Sequence, residues 1–177
     1  MGTMVTNTLH PASRPARLMH AYSAARKQEV RNRLRELGAD YYDMLLPETK
    51  ALPGILAEDE RLEGVVYGRY HINKGPNVSR GLLAITDRRI LLIDKKPLFL
   101  RYDDLSFVIV SGILYGQSAL CEEVTLATRM GDVSFRTFNR ACASQFARAV
   151  DQMLFATGTT GSDQARRDNT LPPSPGT

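Results

Sequence analysis

Cysteine is nearly absent: Cys121 and Cys142 are the only two in 177 residues, with no Cys-x-x-Cys and no partner cluster. That argues against a disulfide scaffold and fits two free thiols in a reducing cytoplasm. Histidine is as sparse. His10, His20 and His71 are scattered, with no second ligand at metal spacing, so neither metal nor cofactor is expected. No run approaches the roughly 18 apolar residues of a membrane span. Met1–Pro15 lacks the apolar stretch of a secretory leader. The expected location is therefore cytoplasmic, with peripheral attachment to the inner face of the membrane as the alternative.

Catalytic fingerprints are missing too. There is no Gly-x-Ser-x-Gly, Walker-type loop or dinucleotide fingerprint. Asp103-Asp104 and Glu122-Glu123 are neighbours in strand-like segments, so each pair points to opposite faces, a poor arrangement for acid–base work. No enzyme is expected.

The net charge is +4, and its distribution is informative. Residues 1–56 hold eight Lys/Arg against five Asp/Glu, residues 57–138 eleven against eleven, and residues 139–177 four against three. The central stretch is neutral, and a neutral domain is a poor non-specific binder of nucleic acid, which is held by phosphate neutralisation.

What is present divides into four parts. Residues 1–17 mix Thr, Pro, Asn and Arg without periodicity and read as disordered. Residues 18–55 read as an amphipathic helix, Leu18–Leu37, followed by a connector. Met19, Tyr22, Val30, Leu34 and Leu37 share one helical face, and Gly38 suits the residue after the helix end. Arg26, Lys27, Arg31, Arg33 and Arg35 make other sides basic. That helix either docks by its apolar stripe or lies on an anionic membrane or nucleic acid; docking is favoured, since Glu29 and Glu36 dilute the charge. Residues 56–156 carry about seven short apolar segments joined by short links, from Leu62–Ile72 to Val133–Phe138. A helix follows from Asn139 to about Phe155, with Asn139 as its cap and Phe146 on its apolar stripe. Residues 157–177 read as a disordered tail.

The most informative stretch is Gly81–Lys96. Two apolar runs, Leu82–Thr86 and Ile90–Ile93, flank Asp87-Arg88-Arg89, which reads as a β-hairpin. Gly81, Leu83, Thr86, Asp87, Arg89, Leu91 and Ile93 stand at spacings that resemble the hallmark of bacterial pleckstrin-homology (PH) domains, the YokE-like and GRAM-like branch. Tyr102-Asp103-Asp104-Leu105, the Gly112–Gly116 turn and Gly131 follow in matching order. The resemblance implies a mostly β fold with flanking helices: a seven-stranded antiparallel barrel capped by a C-terminal α-helix, with Phe146 in the volume that eukaryotic members fill with Trp. It also implies a binding module rather than a catalyst.

Two features point to what such a module binds. Successive turns of a meander alternate between ends, so Asn73–Asn77 and Asp94–Pro97 should share one. That gathers Lys74, Lys95 and Lys96 on a rim, with Arg69 and Arg80 nearby, suited to an anionic headgroup or an acidic segment of a partner. The second is apolar excess. Phe107, Ile109 and Ile113 alternate with Val108, Val110 and Leu114, and Ile90 to Ile93 are apolar on both faces, whereas a small barrel needs one apolar face per strand. Either the N-terminal helix or a second copy should cover the outside. The expected function is protein binding, self-association included. Anionic-lipid binding is the alternative, and nucleic-acid binding through the basic helix a remoter one.

Overall fold

The structure, a computed structural model, describes the backbone of residues 24–167 and side chains over 24–156. The expected disorder of residues 1–17, the helical start at Leu18 with Met19 and Tyr22, and the final residues 168–177 lie outside the described residues. Three helices come first: α1 (Ala24–Glu36), α2 (Tyr41–Leu45) and α3 (Pro47–Ile55). Gly38 ends α1 at φ +89°, which glycine adopts without penalty. Asp40 opens α2 with reciprocal bonds, its carboxylate accepting from Asp43 N–H while the Asp43 carboxylate accepts from Asp40 N–H. Where the sequence suggests a connector with at most one short helix, there are two.

Seven strands follow: β1 (Leu62–Ile72), β2 (Ser79–Thr86), β3 (Ile90–Lys95), β4 (Leu100–Leu105), β5 (Val110–Gln117), β6 (Glu122–Thr128) and β7 (Val133–Thr137). Every pairing is antiparallel, in the order β4-β3-β2-β1-β7-β6-β5. The long β1 makes this possible. It pairs with β2 from Leu62 to Tyr70, and with β7 from Arg69 to Ile72. Gly68 sits where β7 closes in. A Cβ there would lie 2.1 Å from the Arg136 carbonyl oxygen, so a side chain would push the strands apart. The helix α4 (Arg140–Arg167) comes last. No crossover helix interrupts the strands, and the layout is PH-like. One correction is needed: no ladder joins β4 to β5, so the sheet is open rather than a closed barrel.

Two apolar layers hold it together. The inner layer joins Val66, Leu83, Ile85, Leu92, Val124, Leu126 and Phe135 to Ala143, Phe146 and Val150 of α4, with Phe146 fully buried. Tyr70 stacks on Phe135, ring centroids 5.1 Å apart. The outer layer is the other face of β1–β3: Val65, Tyr67, Leu82, Ala84, Leu91 and Ile93. Val30, Leu34 and Leu37 from α1 and its end, with Leu52 and Leu56 from α3 and its end, cover it. Burial stabilises by roughly 1.5–3 kcal/mol per large side chain, which explains why α1 docks although its exposed side is basic. The apolar excess of β2 and β3 is thus satisfied within the chain.

Smaller departures have local causes. Phe107–Ile109 forms a 3-10 turn and the β5–β6 register shifts between Val110 and Gly112, so the expected alternation breaks. Val110 joins Phe107, Ile109 and Ile113 on the core side, leaving Val108 and Leu114 exposed. Asn139 caps α4 as expected, accepting from Cys142 N–H at 3.0 Å. Its amide also donates to the Gly38 carbonyl at 2.9 Å and to the Asp43 carboxylate at 2.6 Å, fastening the N-terminal helices to α4. The helix itself continues to Arg167, beyond the Phe155 boundary suggested by its apolar stripe.

Candidate functional site

The hallmark stretch is devoted to structure. The Thr86 hydroxyl accepts from the N–H groups of Arg88 and Arg89, closing the β2–β3 turn, and donates to Glu60. Asp87 accepts from Arg61 N–H at 3.0 Å, tying the turn to the start of β1. Arg89 grips the buried Glu60 carboxylate through two bonds of 2.8 Å and reaches Asp104 at 2.7 Å. Burial alone would raise the Glu60 pKa, but donors from Arg89, Ala57 N–H and Thr86 outweigh it and bring it down to about 2. None of these side chains is left for a ligand. Cys142 is structural as well. Burial, then the nearby Asp43 and Asp40, push its thiol up to about 12, and its Sγ lies 3.4 Å from the Leu37 carbonyl oxygen.

A cleft of about 1050 Å³ opens instead at the far end of the outer face, beyond the edge of the helical cover. Its floor follows from the strand register. Arg69 is the cross-strand partner of Arg80 on β2 and of Arg136 on β7. Leu82 opposes Ile93, so two residues further along Lys95 lies level with Arg80. Lys95, Arg80, Arg69 and Arg136 therefore form one row across four adjacent strands, all on the face that carries Tyr67 and Ile93 further in. At about 4.8 Å between strands, four cations lie within roughly 15 Å. Like charges directly opposite each other destabilise a sheet.

Little compensates them. Among the described residues, the side chains of Arg69 and Arg80 have neither a hydrogen bond nor an ion pair. Arg136 has a long contact to Glu123 at 3.7 Å. Beside the row, Lys96 is bound to Asp94 at 2.8 Å. The opposite wall comes from α2 and α3 with Asp40, Asp43 and Glu48. Their carboxylates are held in place: Asp40 by Asp43 N–H, Asp43 by Asn139 and Asp40 N–H, and Glu48 by Lys95 N–H at 3.2 Å. Burial raises the Asp43 pKa against those hydrogen bonds. Tyr42, Val78 and Phe138 also line the cleft and are well exposed, Phe138 at 88%.

Of the five expected rim residues, Arg69, Arg80, Lys95 and Lys96 line this cleft, and Lys74 does not. Asn73 and Lys74 both adopt left-handed backbone, and Asn73 bonds Asp132 in the β6–β7 turn through its own N–H and its side-chain oxygen. The basic helix is divided. Arg26 donates to the Ala57 and Glu60 carbonyls, and Arg33 to the Leu62 carbonyl, Glu36 and Glu63. Lys27, Arg31 and Arg35 are exposed. Nothing in the sequence alone marks Arg136, Tyr42 and Phe138 as part of one site. Alternation within Val133–Phe138 sets Arg136 on the outer face, but only the β1–β7 ladder brings it to Arg69.

No protein-family model matches the chain, and no curated protein matches it. Solved structures do. The Vps36 N-terminal PH domain is 18% identical with a TM-score of 0.44, over 56% of this chain and 86% of that one. Linker-DH/PH domains of p115-RhoGEF match at 11% identity and a TM-score of 0.39, over 72% of this chain and 39% of that one. The hSac2 domain of human phosphoinositide phosphatase Sac2 matches at 15% identity and a TM-score of 0.34, over 69% and 85%.

Proposed function

We propose that the chain is a non-enzymatic binding module of PH type, on the bacterial YokE-like and GRAM-like side of that superfold, whose partner is a protein. The cleft takes an acidic segment of that partner. The observation that carries this reading is the row Lys95, Arg80, Arg69 and Arg136, aligned across four strands with two arginines unpaired among the described residues. An acidic chain laid across the strands answers four cations at once, and exposed Tyr42 and Phe138 beside the row offer apolar anchors.

A second reading rests on the same exposed rim. Tyr42, Val78 and Phe138 next to a basic floor also suit a membrane surface with an anionic headgroup in the cleft. Nucleic acid is less well supported, because Arg26 and Arg33 are engaged with the domain.

Fluorescence anisotropy with a labelled oligoglutamate peptide, alongside co-sedimentation with phosphatidylglycerol vesicles, separates the two. The first reading expects peptide binding that Arg69→Ala with Arg80→Ala abolishes, and no vesicle binding. Vesicle binding alone would install the lipid reading. Binding to neither would reject the cleft as an anion site.

A further inference from the structure

The open sheet leaves two edges, and one of them is built to pair with itself. β4 has β3 on one side and no strand on the other among the described residues. The β3–β4 turn closes through Lys96 N–H to the Phe99 carbonyl at 2.9 Å, with Pro97 and Leu98 at its tip. From there Leu98, Phe99, Leu100 and Tyr102 are all exposed, a dense run of uncovered large apolar side chains. A bare edge of this kind is a template for another chain.

The charges on β4 decide which chain. Arg101 and Asp103 are the neighbours of Tyr102 on either side, on one face, and they pair with each other at 3.0 Å. An antiparallel pairing of two β4 strands centred on Tyr102 sets Arg101 opposite Asp103 of the partner subunit, and the reverse by symmetry. Opposite charges facing each other across an antiparallel pair are stabilising, and the two-fold axis makes every such contact twice. The same register places Tyr102 against Tyr102 of the partner subunit and exposed Phe99 against Leu105 of the partner subunit. Asp104, opposite Leu100 of the partner subunit, keeps its own bond to Arg89. An edge carrying one sign of charge would repel a copy of itself; this one matches it. The other edge offers no such code. β5 carries no charged residue from Val110 to Gln117, and the irregularity after Val110 interrupts its ladder.

We infer that β4 is a homodimer edge, two copies joining antiparallel about Tyr102 into a sheet continuous across the two subunits. The edge adjoins the cleft at one end, where Lys95 pairs with Leu100, but Arg101 and Asp103 are not among the residues that line the cleft.

Sedimentation velocity over a concentration series of the full chain tests the pairing, with circular dichroism to confirm folding. The wild type should show a reversible monomer–dimer equilibrium. Arg101→Asp and Asp103→Arg, each alone, place like charges opposite one another twice and should weaken the dimer roughly tenfold or more. The double variant exchanges the two signs and should recover wild-type association. A wild type that stays monomeric overturns the inference. So do single variants that dimerise normally, or a double variant as weak as either single one. An unfolded single variant leaves the decision to the double variant and the wild type.

Discussion

Arg89 holds Glu60 with two parallel 2.8 Å hydrogen bonds, and the carboxylate so held is almost wholly removed from solvent. The pair joins the β2–β3 turn to the segment that leads into β1, and a sensitivity to acid follows from it. The Glu60 pKa falls from its ordinary 4.5 to about 2, so its ionised form stabilises the fold at any pH above 4.5. That stabilisation, about 3 kcal/mol, disappears as pH falls from 4.5 towards 2. Arg89→Met leaves a buried charge unpaired and should destabilise by roughly 3–5 kcal/mol at neutral pH. Its stability should rise as pH drops below about 6, where the wild type is flat, because burial without Arg89 favours the neutral carboxyl. Urea unfolding at several pH values checks both, and an acid limb unchanged in the variant would contradict the assignment.

Phe146 and Gly68 test the sheet and its plug. Phe146→Ala empties the centre of the inner layer and should cost about 3–5 kcal/mol. Gly68→Ala drives a methyl group into the Arg136 carbonyl. The cost should be about 3 kcal/mol, with backbone amide shifts concentrated at Arg69–Ile72 and Val133–Arg136. Thermal melts and a two-dimensional amide spectrum read both effects. A Gly68→Ala chain as stable as wild type would mean that β7 does not approach β1 as described.

The arginine row sets binding against stability. Arg69→Gln relieves two cross-strand repulsions and should stabilise the free protein by roughly 0.5 kcal/mol. The same change should lower affinity for an acidic peptide. Sulfate at constant ionic strength should raise the melting temperature of the wild type more than that of the variant. Equal sulfate responses in the two proteins would show that the row does not act as an anion site.

Removing α1–α3 should be ruinous. A chain beginning at Arg61 exposes Val65, Tyr67, Leu82, Leu91 and Ile93 to water, a continuous apolar face. Light scattering should show aggregation, and melting should lose its sharp transition. A monodisperse truncated chain with a cooperative melt would mean that the outer layer is dispensable.

What is legible in the sequence is local. Thr86–Arg89 announces its turn within four residues, Phe146 its burial through helical spacing, and Asn139 its capping role through position. The long-range features were hidden. Arg136 meets Arg69 only because β1 is long enough to pair with two strands, and Glu60 meets Arg89 across a gap that no periodicity reveals. Alternation of turns puts the Lys74 loop at this end of the sheet, and its two consecutive left-handed residues set it beside Asp132, outside the cleft lining. Val110 falls on the core side beside Ile109 because the 3-10 turn Phe107–Ile109 and the irregular step after Val110 break the strand alternation. The sheet reads as closed from a count of strands, yet closure depends on the β4–β5 seam, which seven segments in a row do not specify.

The side-chain amide of Asn139 is a rivet between two layers that the chain makes far apart in sequence. Because one group caps α4 and also grips Gly38 and Asp43, the N-terminal helices cannot peel away without fraying the start of the plug. The three-layer body should therefore exchange its amide hydrogens as one unit, with α1 and α3 as slow as the strands beneath them.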